Sequence, residues 1–195
     1  MTGVTVVKLT AAGAPVSGNA HNWYSDGGTL ISHPWQGGGE WYVTVLVFSD
    51  GAGQAWLVDL KITGAPALAN WRQLTGNLKP QSDLAFSFSS VPGTARIAYV
   101  VSGGTLRRID TQAMTEANTG YFPRSGVGSG PVWMHQDKDD VWFVSNSGTT
   151  ARAFNAATGA WISQTWSGLN EIRIDREGGY AIFGGGGSSI RMWDL

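Results

Sequence analysis

Residues 151–166 read ARAFNAATGAWISQTW: an alternating run up to Phe154, a short polar residue, the pair Thr158-Gly159, then a second run opened by Trp161. Alternation over four to eight residues marks a half-buried strand, and Asn followed closely by Gly is the chemistry of a reverse turn. The segment predicts two antiparallel strands joined at a tight corner. With the strand before it, the same plan covers DVWFVSNSGTTARAFNAATG (140–159). Three other stretches repeat it: YVTVLVFSDGAGQAWLVDLKITG (42–64), ARIAYVVSGGTLRRIDTQAMT (95–115) and GYAIFGGGGSSIRMWDL (179–195). Each runs from an apolar strand ending in Ser or Gly, through a Gly-containing turn, to a strand closing on Asp or Asn. The anchors Asp59, Asp110, Asn155 and Asp194 stand 51, 45 and 39 residues apart. A short polar side chain at that point is expected to bond its own backbone and set the corner.

Outside these units the chain is also strand-like. VTVVKL (4–9), LAFSFSS (84–90), PVWMHQD (131–137) and EIRID (171–175) are short apolar runs bounded by Gly, Asp, Asn or Ser, the punctuation of β-hairpins. TQAMTEAN (111–118) shows no sustained apolar stripe and reads as a turn region. A further strand precedes each hairpin, with HQDKDD (135–140) and IDREGG (174–179) as matching turns in the last two units.

A unit of about 40–50 residues with three or four strands and a late Asp or Asn has the period of a β-propeller blade. ARAFNAATGAWISQTW resembles the repeat of PQQ-like propellers, in which Asp or Asn, two residues, Thr-Gly and a Trp close the inner hairpin. The terminal IRMWDL resembles the end of the third strand of a WD40 blade. Neither pattern is kept in every unit: the second lacks Thr-Gly, and none carries the Gly-His element of WD40 repeats. What the resemblance implies is the propeller architecture. The expected fold is all-β, a small propeller of about four blades forming one domain over 1–195, with approximate blades 28–76, 84–123, 130–166 and 170–195. Residues 4–9 are expected to supply the outer strand of the last blade, removing a free edge. A β-sandwich or an open β-repeat array is the alternative.

Composition narrows the function. The 195 residues carry a formal net charge of −1, with 13 Lys and Arg scattered along the chain, so the basic stripe of a nucleic-acid binder is absent. No Cys is present, which rules out disulfides and thiolate chemistry. The N-terminus is too short and broken in its apolar run for a signal peptide or a spanning segment. These features predict a soluble chain without membrane insertion, cytoplasmic or part of an assembled particle.

Motifs for chemistry fare poorly. His21, His33 and His135 fall in different units or loops, and only His21 and His33, with Asp26, are near enough in sequence to suggest a metal site. They read more simply as turn and strand histidines. DKDD (137–140) resembles a calcium-loop fragment but lacks the Gly and Glu of an EF-hand, and its counterpart DREGG marks the place as a polar turn. SDGGTL (25–30) and SDGAGQAW (49–56) resemble the Asp-box turn of sialidase-type propellers with displaced spacing, and nothing gathers the arginines that sialidase chemistry needs. GVGSG (126–130) and GGGG (184–187) lack the strand–turn–helix context of a nucleophile elbow or a phosphate loop. No catalytic residue, metal or cofactor is predicted.

Ten Trp residues remain to be explained. Trp56, Trp133, Trp142 and Trp193 lie in alternating runs and read as core. Trp23, Tyr24, Trp35 and Trp41 bracket Gly-rich loops, and Trp166 follows the outermost strand; these five are the ligand-binding candidates, since indole and phenol rings stack on sugars and anchor interfaces. The expected function is a non-catalytic binding or assembly module recognising a glycan or protein partner through face loops. It is compatible with self-association or a place in a larger assembly such as a virion or surface particle. The rival reading is a degenerate glycosidase, sialidase-type or quinoprotein-type propeller enzyme.

Overall fold

The structure, a computed structural model, describes residues 15–16, 20–21, 30–49, 53–82, 84–128, 132–165, 169–185 and 190–195. They form four antiparallel sheets. Sheet I comprises β1 (Ala20–His21), β2 (Trp35–Gly37), β3 (Glu40–Ser49), β4 (Gln54–Lys61) and β5 (Ala67–Leu74). Sheet II comprises β6 (Phe86–Phe88), β7 (Ile97–Ser102) and β8 (Thr105–Asp110), with the short β9 (Thr115–Glu116) and β10 (Arg124–Ser125) both on β8. Sheet III runs β11 (Val132–Gln136), β12 (Trp142–Ser147), β13 (Thr150–Asn155), β14 (Trp161–Thr165), and sheet IV runs β15 (Leu169–Ile174), β16 (Tyr180–Gly185), β17 (Arg191–Asp194). Residues 4–9, expected beside β17, lie outside the described residues.

Local chemistry explains the hairpins. Ser102 pairs with Thr105, leaving a two-residue turn in which Gly103 and Gly104 have φ of +55° and +72°. Positive φ at both positions suits the right-handed twist of the strands, and Gly adopts it without steric cost. Trp161 does open the outermost strand of sheet III, pairing with Phe154 across the corner set by Asn155. Residues 111–114 form a turn as read from the sequence, and Thr115–Glu116 then form β9.

The inner strands carry apolar side chains on both faces, and these bury against the neighbouring sheets, whereas the outermost β14 is exposed past Trp161. Leu46, Phe48 and Leu57 of sheet I meet Phe86, Phe88 and Val100 of sheet II. Tyr99, Val101 and Leu106 of sheet II meet Met134, Phe143 and Phe154 of sheet III. Val144, Ala151 and Ala153 of sheet III then meet Ile172, Phe183 and Trp193 of sheet IV. Burying such side chains at roughly 25 cal/mol per Å² is the main stabilising term. On the other face of sheet I, Val45, Val47 and Val58 cluster with Val16. On sheet IV, Ile182 and Met192 pair across the strands and stay exposed. Sheets stacked face to face in chain order are successive propeller blades. Trp193 is in the core, and Trp56 and Trp142 pack against it at its edge; the Trp133 side chain lies outside the described positions. Among the described residues, no helix is long and apolar enough to cross a membrane.

Candidate functional site

The innermost strands of the four sheets end at one place. In sheet I the innermost stretch is 30–32, whose Ile31 bridges to Val45; in sheets II, III and IV it is β6, β11 and β15. Just past each strand end the chain turns polar: Ser32-His33, Ser89-Ser90, Asp137-Lys138 and Asp175-Arg176. Those ends surround a cavity of about 440 Å³ whose lining includes His33, Ser90, His135, Gln136, Lys138 and Arg176. Every sheet contributes to it, the arrangement expected of the central channel about which propeller blades are set.

Hydrogen bonds stitch the rim together from blade to blade. His33 Nε2 lies 3.0 Å from Ser90 O; a carbonyl only accepts, so this nitrogen carries the proton. Gln136 Nε2 donates to Phe88 O at 2.6 Å. Lys138 N donates to Arg176 O at 3.1 Å, and Arg173 Nη1 approaches His135 Nε2 at 3.4 Å. Asp140, one residue past the DKD turn, reaches back to sheet II. Its carboxylate accepts from Ser90 N at 2.9 Å, from Tyr99 OH at 3.2 Å and from the Ser89 hydroxyl. Burial pushes the Asp140 carboxyl up, and the bonds from Ser89, Ser90 and Tyr99 offset this only in part. Burial, together with the Asp140 charge, also pushes the Tyr99 phenol up.

The DKDD stretch therefore acts as a structural turn. Asp137 is buried, accepts from Val141 N at 2.8 Å, and is pushed up by desolvation. Gly178 of sheet IV, at φ +76°, packs against it so closely that a Cβ there would stand 2.7 Å from Asp137 Oδ2. Among the described residues, no group of three or more His, Asp or Glu is arranged to hold a metal ion. Two of the rim hydroxyls are held in hydrogen bonds within the fold. Ser32 Oγ donates to His33 O and accepts from Thr44 N, while Ser89 is committed to Asp140 and Thr94.

The mouth carries charges of both signs. Lys138 is held by Glu177 at 2.7 Å and Asp139 at 3.6 Å, both exposed. The exposed Arg176 guanidinium meets no carboxylate among the described residues. Gln136, only 7% exposed, keeps its Oε1 without a hydrogen-bond partner.

The described aromatic candidates, Trp35 and Trp41, lie elsewhere. Trp23, Tyr24 and Trp166 are outside the described residues, as are Asp26 and the His21 side chain. Trp35 pairs with Tyr42 and Gln36 with Trp41 across the β2–β3 hairpin, so alternation puts Trp35 and Trp41 on opposite faces. The Trp35 ring stacks on Tyr42 with centroids 4.8 Å apart, and its Nε1 donates to Thr44 Oγ1 at 3.1 Å. Trp41 is 43% exposed. Sequence reading missed the axial cluster of His33, His135, Gln136, Lys138 and Arg176. The available signal was positional: each innermost strand ends in a polar pair at the same point of its unit.

No protein-family model matches the chain, and no curated protein matches it by sequence. Solved structures do match. The chain superposes on a structure described as the Dos1 propeller with a TM-score of 0.52 and 14% identity, over 84% of this chain and 44% of that one. It also superposes on the β-propeller domain of Cps50 (Swd1) from Myceliophteria thermophila, with a TM-score of 0.50 and 12% identity, over 84% of this chain and 68% of that one. The chain thus spans less than half of the first of these. At such identities the likeness shows the fold alone: an all-β β-propeller.

Proposed function

We propose that the chain is a non-catalytic propeller module that docks a protein partner over the axial cavity. The observation that carries this reading is the cavity itself, assembled from the innermost strand ends of all four sheets and rimmed by polar and cationic side chains. Its serine hydroxyls Ser32 and Ser89 are engaged in structural bonds. A rigid scaffold presenting loops of several blades at one end is how propellers build recognition surfaces. A photoreactive residue at position 176, on the rim, tests it against one at position 149, in the β12–β13 turn. In extract from the native source, the rim position is expected to give a discrete protein adduct and the distal position none. Equal labelling from both, or none from the rim, overturns the reading.

A second reading, glycan recognition, rests on Trp41, whose exposed indole projects from the β2–β3 hairpin. It predicts that Trp41→Ala abolishes any sugar-dependent change in tryptophan fluorescence. A glycan array without hits removes it.

A further inference from the structure

Resting on the docking reading above, we propose that the group received by the axial cavity is a carboxylate on an acidic peptide segment of the partner. Four features of the rim lead there.

First, two cations and one carboxylate line the cavity. Lys138 and Arg176 line it, with Arg173 beside the lining His135. The one lining carboxylate, Asp137, is buried and turned onto its own backbone through Val141 N. Second, Arg176 is an exposed fork of donors with no carboxylate partner among the described residues. A planar guanidinium matches a carboxylate with two parallel bonds, the strongest common pairing for this group. Third, the acids that hold Lys138 are replaceable: Asp139 and Glu177 are 65% and 71% exposed in their side chains. Exposed pairs of this kind contribute little, so a better-buried carboxylate displaces them at low cost.

The fourth feature decides between a peptide and a free oxyanion. Gln136 is buried beside the cavity, gives its amide hydrogen to Phe88 O, and leaves Oε1 an unpaired acceptor. A buried acceptor without a donor forfeits its hydration with nothing in return. A peptide brings backbone N–H groups alongside its carboxylates and satisfies both needs. Inorganic phosphate brings mainly acceptors. The cavity volume of about 440 Å³ falls in the range of ligand pockets and accommodates a few side chains of an extended segment.

The test is fluorescence anisotropy with a labelled octapeptide of alternating Glu and Gly, alongside its Gln counterpart, a phosphoserine version and inorganic phosphate as competitor. The Glu peptide is expected to bind the intact chain, and the Gln peptide to bind at least about tenfold more weakly, the loss of one charge-assisted pairing. Arg176→Glu is expected to weaken the Glu peptide by about tenfold or more, and Lys138→Glu similarly, while Thr149→Glu at the far end changes nothing. Circular dichroism confirms that the variants fold. Equal binding of the Glu and Gln peptides, insensitivity to Arg176→Glu, or binding of the phosphoserine peptide alone overturns the proposal. If position 176 crosslinks a partner while no acidic peptide binds, the docking reading stands and the carboxylate assignment falls. If the acidic peptide binds at Arg176 but no partner crosslinks there, the docking reading fails by itself.

Discussion

Asp59 in sheet I and Asp110 and Asn155 in sheets II and III align in the repeat, yet their side chains do different work. Asp110 Oδ1 accepts from Gln112 N and Ala113 N, both at 2.8 Å. Asn155 Oδ1 accepts from Ala157 N at 3.0 Å and Thr158 N at 3.1 Å. Each corner is then closed by a backbone bond four residues on, Met114 N to Asp110 O and Gly159 N to Asn155 O. These two are turn-setters, as the sequence predicts. Asp59 is not, because β4 runs on to Lys61 and carries a register shift between Leu57 and Asp59. The continued strand leaves Asp59 inside the sheet, opposite Thr44 in the regular β3–β4 ladder and 1% exposed. Its carboxylate accepts from Thr44 Oγ1 at 2.8 Å, Asn70 Nδ2 at 3.0 Å, and both terminal nitrogens of Arg72 at 2.6 and 2.7 Å. Arg72 Nε continues to Thr111 O of sheet II at 3.0 Å, so the pair ties one blade to the next. A strand that runs two residues past the repeat position has made its aspartate half of a buried ion pair.

The largest effect should come from breaking that pair. Arg72→Met keeps most of the side chain's length but removes the fork, leaving the Asp59 carboxylate buried with only two neutral donors. Breaking one half of a buried pair costs about 3–5 kcal/mol, which urea unfolding would register as a large fall in midpoint. The double variant Asp59→Leu with Arg72→Met is expected to recover most of the loss, since the uncompensated charge is gone. If Arg72→Met alone costs under about 1 kcal/mol, the buried-pair description of sheet I is wrong.

Truncating the corner residues should cost less and split them by pH. Asp110→Ala and Asn155→Ala each release two backbone N–H groups, a loss of roughly 1–2 kcal/mol. Burial alone would raise the Asp110 carboxyl, but the bonds from Ala113 and Gln112 and the Arg96 charge bring it below its ordinary value. A carboxyl lowered in the folded state contributes stability above its unfolded pKa and loses it as pH falls through the folded one. The deficit of Asp110→Ala is therefore expected to shrink between about pH 5 and about pH 2, whereas that of Asn155→Ala, which does not titrate, stays level. Denaturant titrations of both variants across that range check it; parallel curves would mean that Asp110 acts through shape alone.

The same contrast explains what could be read from the chain. Hairpins were legible because alternation and Gly turns are local: Gly103-Gly104 or Asn155 to Gly159 declare themselves within a few residues. The shift at Leu57/Asp59 leaves no such mark, since a bulge is a property of pairing with β5 rather than of the strand's own pattern. Residue type alone singles out Trp35, and its indole N–H is taken by Thr44 across a hairpin. The axial cluster was hidden because His33, Gln136 and Arg176, on three different sheets, line one cavity only in the folded chain. Their shared trait in sequence is a polar residue after an innermost strand, a weak signal without the fold.

Met114 and Gly159 supply the finest test of the corner. Both close it in the left-handed region, at φ +56° and +74°, where an L side chain is strained by roughly 1–2 kcal/mol. Gly159 bears this freely, and a Cβ there would stand 2.7 Å from the Tyr121 ring. Met114 offsets the strain by packing on the core between sheets I and II. Truncation removes that packing whether the replacement is Ala or Gly, but only Gly relieves the backbone. Met114→Gly should therefore be more stable than Met114→Ala by about 1 kcal/mol, the reverse of their order where φ is negative. Both should fall below the parent, because the lost side-chain contacts exceed the strain released. Finding Met114→Ala the more stable of the two would show that the sheet II corner does not hold the left-handed turn its sister in sheet III requires.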